Sequence, residues 1–139
     1  MPEPVVVSTA RSPIRRAFQS SPKDIRPDDL RVQMVRAALG KVPELEVADI
    51  DDLVLGGGQP GGESGFSMSR VDTVLAGLDH VPGPTVNRYC SSSLQSTRMA
   101  MHAIRAGGGD VFICAGVQTV SRYTKARNPL VSPRPSRCR

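Results

Sequence analysis

The chain has 139 residues, of which 39% are apolar and 4% aromatic, and its formal net charge is +5. That length holds one domain with a real core, built here from Val, Leu, Ile, Ala and Met. The charge is unevenly placed: residues 1–121 carry 12 Lys and Arg against 13 Asp and Glu, a balance of −1, whereas residues 122–139 carry six basic residues and no acid. A near-neutral body speaks against a nucleic-acid binder, which needs its basic footprint on a folded face; no nucleic acid is expected as a partner.

Val5-Val6-Val7, flanked by Pro4 and a polar loop, reads as a buried first strand. Pro27 suits a helix start because its missing N–H costs nothing there. Asp28 and Asp29 favour the positive end of the macrodipole, and Leu30, Met34, Ala37 and Ala38 recur at helical spacing before Gly40 and Pro43. Leu53-Val54-Leu55 is a second short strand, ending in Gly56-Gly57-Gly58, and the run Gly56 to Gly61 reads as a flexible glycine loop.

Residues 64–76 read as a second helix that sends Phe66, Val71, Val74 and Leu75 to the core, with Gly77 ending it. Thr85 to Tyr89 is a third strand. Ser91 to Ala106 is a third helix with Leu94, Met99, Met101, Ala103 and Ile104 as its apolar positions, and Val111 to Ala115 is a fourth, inner strand. The order predicts an α/β fold: a mostly parallel sheet with right-handed crossovers and helices on both faces. The pattern stops near residue 121, which divides the chain into a domain of residues 1–121 and a loose Pro/Arg-rich tail of residues 122–139.

The cysteines are Cys90, Cys114 and Cys138, with no C-x-x-C pair, and His80 and His102 lack the spacing of zinc ligands. No metal is implied. Sparse, odd cysteines without a signal sequence point to a reducing cytoplasm, and no apolar run reaches the ~20 residues of a membrane span. No membrane contact is expected.

Cys90 stands where the third strand turns into the third helix, the geometry of a nucleophile elbow. Unspent N–H groups at a helix start stabilise a thiolate and can hold the oxygen of a thioester under attack. By residue type alone a buried structural cysteine is the commoner outcome; the junction favours a nucleophile. His102 is twelve residues along the same helix, a rise of ~18 Å, and out of reach as its base. His80 is in a loop that could bring it near Cys90, although most such histidines are plain surface residues.

Gly56 to Gly61 matches G-x-G-x-x-G, but Pro60 removes a donor that a phosphate would need, so no dinucleotide site is assigned. Cys114 reads as a small packing residue, and Cys138 as a tail thiol without a partner.

Taken together, three segments resemble the thiolase family. Thr9-Ala10-Arg11-Ser12-Pro13-Ile14 resembles the family's opening strand exit, and Asn87-Arg88-Tyr89-Cys90-Ser91-Ser92-Ser93-Leu94-Gln95 resembles the segment around its acylated cysteine. Gly109-Asp110-Val111 through Ala115 to Ser121 resembles the following strand and its exit. A ketoacyl synthase shares the cysteine-at-helix-start design, but the opening and exit segments match thiolases better. Residue 15 is Arg where the family often has Gly, and residue 118 is Gln where it often has Glu.

The resemblance implies a thiolase-like fold, here its N-terminal half only. It implies transfer of an acyl group from acyl-CoA or 3-ketoacyl-CoA to Cys90, with the N–H of Cys90 as an oxyanion donor. CoA thioesters enter as substrates, with no separate cofactor. The complete family member is expected as a homo-oligomer. The family's histidine and second cysteine, which belong to its second half, have no counterpart here, so the chain reads as truncated and without turnover alone. The competing reading is a non-catalytic thiolase-fold remnant or interaction module.

Overall fold

The computed structural model describes residues 2–14 and 25–119. Its sheet has three strands, β1 (Asp52–Gly57), β2 (Thr85–Val86) and β3 (Phe112–Val117), in the order β2-β1-β3. Both pairings are parallel, with Leu55 opposite Thr85 and Gly56 opposite Gly116. Three helices accompany it: α1 (Pro27–Leu39), α2 (Met68–Ala76) and α3 (Ser92–Ala106). The expected α/β architecture with a parallel sheet is therefore present.

Strand alternation assigns the layers. Leu53 and Leu55 join Val35 of α1, Met68 of α2, Ile50, Leu78 and Val81 in the core. Gly56, one residue out of phase, lies instead against Ser92 and Ser93 of α3. Thus α1 and α2 cover one face of the sheet and α3 the other.

The helix starts and stops follow local chemistry. Pro27 opens α1 with Asp28 and Asp29 in its first turn, as the macrodipole favours. Gly77 and Gly107 close α2 and α3 at φ 82° and 73°, left-handed values that a side chain resists.

Several sequence expectations are corrected. Val5, Val6 and Val7 form no strand and are 73–75% exposed. Their neighbours are tied to the end of α1 instead: the Ser8 hydroxyl donates to the Ala38 carbonyl at 2.7 Å, and Lys41 Nζ to the Thr9 carbonyl at 2.6 Å. A β-branched run becomes a strand only when a neighbour supplies the ladder.

The helices also bury other faces than their apolar spacing suggests. In α1 the buried apolar residues are Val32 and Val35. In α2, Phe66 precedes the helix and is 83% exposed, and Val71, Val74 and Leu75 face outward, while Met68, Ser69, Asp72 and Thr73 are buried. In α3, Ser92, Ser96 and Ala100 face the sheet, and Leu94 is 71% exposed.

The cause in α2 is a set of polar anchors. Arg31 of α1 holds Asp72 in a two-toothed ion pair, with Nη2 2.7 Å from Oδ1 and Nε on Oδ2; both side chains are almost wholly buried. Burial pushes the Asp72 carboxyl up while the guanidinium pulls it back. The Ser69 hydroxyl donates to the Leu53 carbonyl, and its N–H donates to Thr85 Oγ1 at 3.1 Å. These bonds fix the rotation of α2 before its apolar residues have any say. The expectations for Arg15, Cys138, residues 122–139 and the tail boundary lie outside the described residues.

Candidate functional site

In a parallel sheet the C-terminal ends of the strands share one edge, and Cys90 lies there. The expected third strand is shorter than its sequence suggests: after Val86 the chain leaves the sheet, and Tyr89–Ser91 form a single 3₁₀ turn that runs into α3. Cys90 sits in that turn, exposed and as a free thiol.

The turn is closed by its own side chains. The Ser92 hydroxyl accepts the Arg88 N–H at 2.9 Å and donates to the Tyr89 carbonyl at 2.6 Å. Asn87 accepts the Tyr89 N–H at 2.9 Å through Oδ1 and donates to the Gly58 carbonyl at 3.2 Å through Nδ2. Arg88 reaches forward to Gln95 Oε1 at 2.8 Å. The Ser91 N–H is spent on the Arg88 carbonyl at 3.1 Å, whereas the Cys90 N–H has no hydrogen-bond partner among the described residues. Tyr89 adopts φ 48°, a left-handed conformation that costs energy outside glycine.

Beneath this turn lies a floor of glycines. A Cβ on Gly56 would collide with the Ser92 and Ser93 backbone, and one on Gly116 with the Ser93 side chain. One on Gly58 would come 3.0 Å from the Tyr89 carbonyl oxygen. Gly56 and Gly57 belong to β1 and are buried with Gly58, so the flexible-loop reading of Gly56 to Gly61 is corrected for its first three residues. The glycines make room for α3 to start directly on the sheet.

The other sequence candidates do not join Cys90. His80 Nε2 lies 2.9 Å from the Val47 carbonyl oxygen. Val47 precedes β1 and His80 precedes β2, so this pair marks the opposite, N-terminal edge of the sheet. His102 is exposed far along α3.

Cys114, expected on an inner strand, lies on β3, an outer strand of the sheet among the described residues, where it keeps access to solvent. Burial against its neighbours pushes its thiol up, with Thr97 opposing and Asp52 reinforcing the shift.

The chain that builds this turn matches a known family. The model of the thiolase N-terminal domain matches residues 4–135. The chain belongs to the thiolase family. It is 42% identical over 123 residues to a 3-ketoacyl-CoA thiolase of Bacillus subtilis, covering 88% of this chain and 31% of that protein. A 3-ketoacyl-CoA thiolase of Saccharophagus degradans is 36% identical over 133 residues, with 95% and 34% covered. A 3-oxoadipyl-CoA/3-oxo-5,6-dehydrosuberyl-CoA thiolase of Escherichia coli is 38% identical over 123 residues, with 88% and 30% covered. The chain thus spans about a third of the length of these relatives.

Among the described residues no helix is long and apolar enough to cross a membrane. The glycine floor and the Arg31–Asp72 pair escaped sequence reading. The run Gly56-Gly57-Gly58 and the pair Ala115-Gly116 were the available signals for the floor.

Proposed function

We propose that this chain carries the acyl-accepting cysteine of a thiolase-type acyltransferase, that the cysteine is Cys90, and that the donors are CoA thioesters, including 3-ketoacyl-CoA. The observation that carries the reading is the placement of Cys90: exposed, in a turn pinned by Ser92 and Asn87, at the C-terminal edge of the sheet. The names of the relatives support the substrate class.

In the first half-reaction the Cys90 thiolate attacks the thioester carbonyl of an acyl-CoA, or the 3-keto carbonyl of a 3-ketoacyl-CoA. A new carbon–sulfur bond forms and the carbonyl electron pair moves onto oxygen. The unspent N–H of Cys90 supports that oxygen. With an acyl-CoA donor collapse breaks the bond to CoA sulfur, and CoA leaves as a thiolate that takes a proton from solvent; with a 3-ketoacyl-CoA collapse breaks the C2–C3 bond, and acetyl-CoA leaves as an enolate that takes a proton at C2 from solvent. The acyl group remains on Cys90, which divides one difficult exchange into two transfers. A cytoplasmic, homo-oligomeric setting belongs to the same reading.

The second reading, a non-catalytic interaction module, has the outward Val71, Val74, Leu75 and Leu94 in its favour. Intact-mass measurement after incubation with acetyl-CoA and acetoacetyl-CoA separates the two. One acetyl adduct, lost in Cys90→Ala, is the expected result; no adduct from either donor would favour the module.

A further inference from the structure

Tyr89 is held at both ends of its backbone by side chains. Its N–H donates to Asn87 Oδ1 at 2.9 Å, and its carbonyl accepts the Ser92 hydroxyl at 2.6 Å. Between these two bonds the residue adopts φ 48°. A tyrosine resists the left-handed region because its Cβ crowds the following carbonyl oxygen, and such a conformation lasts only where its surroundings over-determine it. The ring provides no such hold, since Tyr89 is 77% exposed.

The two clamps come from different elements. Ser92 is the first residue of α3. Asn87 is tied to the sheet, because its Nδ2 donates at 3.2 Å to the carbonyl of Gly58, the residue after β1. One side-chain amide thus joins the exit of β1 to the turn. A side chain in this place must accept from Tyr89 and donate to Gly58 at once, which a neutral amide does and a carboxylate or hydrocarbon does not. It must also be short, because the Tyr89 N–H lies two residues ahead, the reach of an asparagine.

We infer that Asn87 is a positioning residue of the Cys90 site: it holds Tyr89 in the left-handed conformation and thereby fixes the peptide that leads into Cys90. This rests on the reading of Cys90 as acyl acceptor. The N–H that supports the oxyanion in that reading belongs to the Tyr89–Cys90 peptide, so the conformation of Tyr89 sets where the donor stands. Without Asn87 the tyrosine relaxes towards negative φ, and the thiolate loses its fixed place ahead of α3, where helix-start N–H groups favour it. Glycine at residue 89 removes the need for the clamp, because it takes positive φ without steric cost.

The test is a cycle of variants of the full chain: Asn87→Ala, Tyr89→Gly and the two combined. Iodoacetamide is the probe, and modification of Cys90 is read by peptide mass against Cys114 in the same sample. Asn87→Ala is expected to slow Cys90 about fivefold relative to Cys114, as loss of one net hydrogen bond implies. In the Tyr89→Gly background the same substitution is expected to slow Cys90 by no more than about twofold, since glycine needs no clamp. Tyr89→Gly by itself is expected to keep or raise the urea midpoint, because it relieves the left-handed conformation and gives up little packing.

Equal slowing by Asn87→Ala in both backgrounds overturns the inference, since the bond would then be plain support for the turn. So does an unchanged Cys90 rate in Asn87→Ala. A fall of the urea midpoint in Tyr89→Gly overturns it too, and that measurement does not depend on whether Asn87→Ala folds. Alkylation needs no acyl donor, so failure of acetyl-CoA to label Cys90 would count against the proposed function while the cycle still tests the role of Asn87 by itself.

Discussion

The Arg88 N–H donates to the Ser92 hydroxyl over 2.9 Å, and this one bond ties the residue before the Tyr89–Ser91 turn to the first residue of α3. Ser92 then returns its own proton to the Tyr89 carbonyl at 2.6 Å. The serine is 3% exposed, whereas Arg88 and Tyr89 are exposed residues, so water partly replaces both bonds when the hydroxyl is removed. Ser92→Ala is expected to cost about 0.5–1.5 kcal/mol, the net worth of a lost hydrogen bond whose backbone partners can turn to water. Urea unfolding measures that loss. Cys90 is also expected to alkylate at an altered rate while Cys114 does not change.

Gly116→Ala tests the glycine floor. The added methyl would meet the Ser93 Cβ at 2.7 Å, and overpacking of this kind costs about 1–3 kcal/mol. Gly108→Ala is the control, since its nearest neighbour would be the Ala103 carbonyl oxygen at 3.5 Å, ordinary contact. The urea midpoint is expected to fall for the first and to stay close to the parent for the second.

Removing one partner of the Arg31–Asp72 pair leaves a charge with no water and no counter-ion, as the side chains are 2% and 1% exposed. Arg31→Met is expected to cost about 3–5 kcal/mol, and adding Asp72→Leu to recover most of it. Thermal or urea unfolding of the single and double variants measures both effects. Equal stability of the two variants would mean that the pair does not set the α1–α2 contact.

Asp51 accepts the N–H groups of Val111 and Asp110 at 2.9 and 2.7 Å, and these bonds hold its carboxyl below the usual aspartate range, with Val111 the larger cause. A folded value depressed below the unfolded one gives stability that is present above about pH 4 and lost as pH falls through the folded value. Parent and Asp51→Asn are therefore expected to differ in stability at pH 6 and to converge in strong acid. An NMR titration of the Asp51 carboxyl checks the direction of the shift.

Much of this was legible in the sequence where the signal is local. Pro27 with Asp28 and Asp29 marked the start of α1, Gly77 and Gly107 marked helix ends, and Ser91-Ser92 after Cys90 marked the start of α3. What was not legible depends on partners distant in the chain. Val5 to Val7 have strand propensity but no pairing neighbour among the described residues. The apolar residues of α2 lost their place to Arg31, Leu53 and Thr85, which grip its polar face. Gly56 and Gly116 are adjacent only through strand register, so their joint role under Ser92 and Ser93 has no signature in either segment alone.

Peptide mapping of the acyl adduct after acetyl-CoA treatment decides whether Cys90 is the acyl acceptor. Cys114 is the internal rival: it is also a free, solvent-accessible thiol, but burial raises its thiol and it sits on β3 instead of a helix start. The acetyl group is expected on the Cys90 peptide, at most one per chain, and absent in Cys90→Ala. An adduct on the Cys114 peptide, or labelling that survives Cys90→Ala, would contradict the assignment of Cys90.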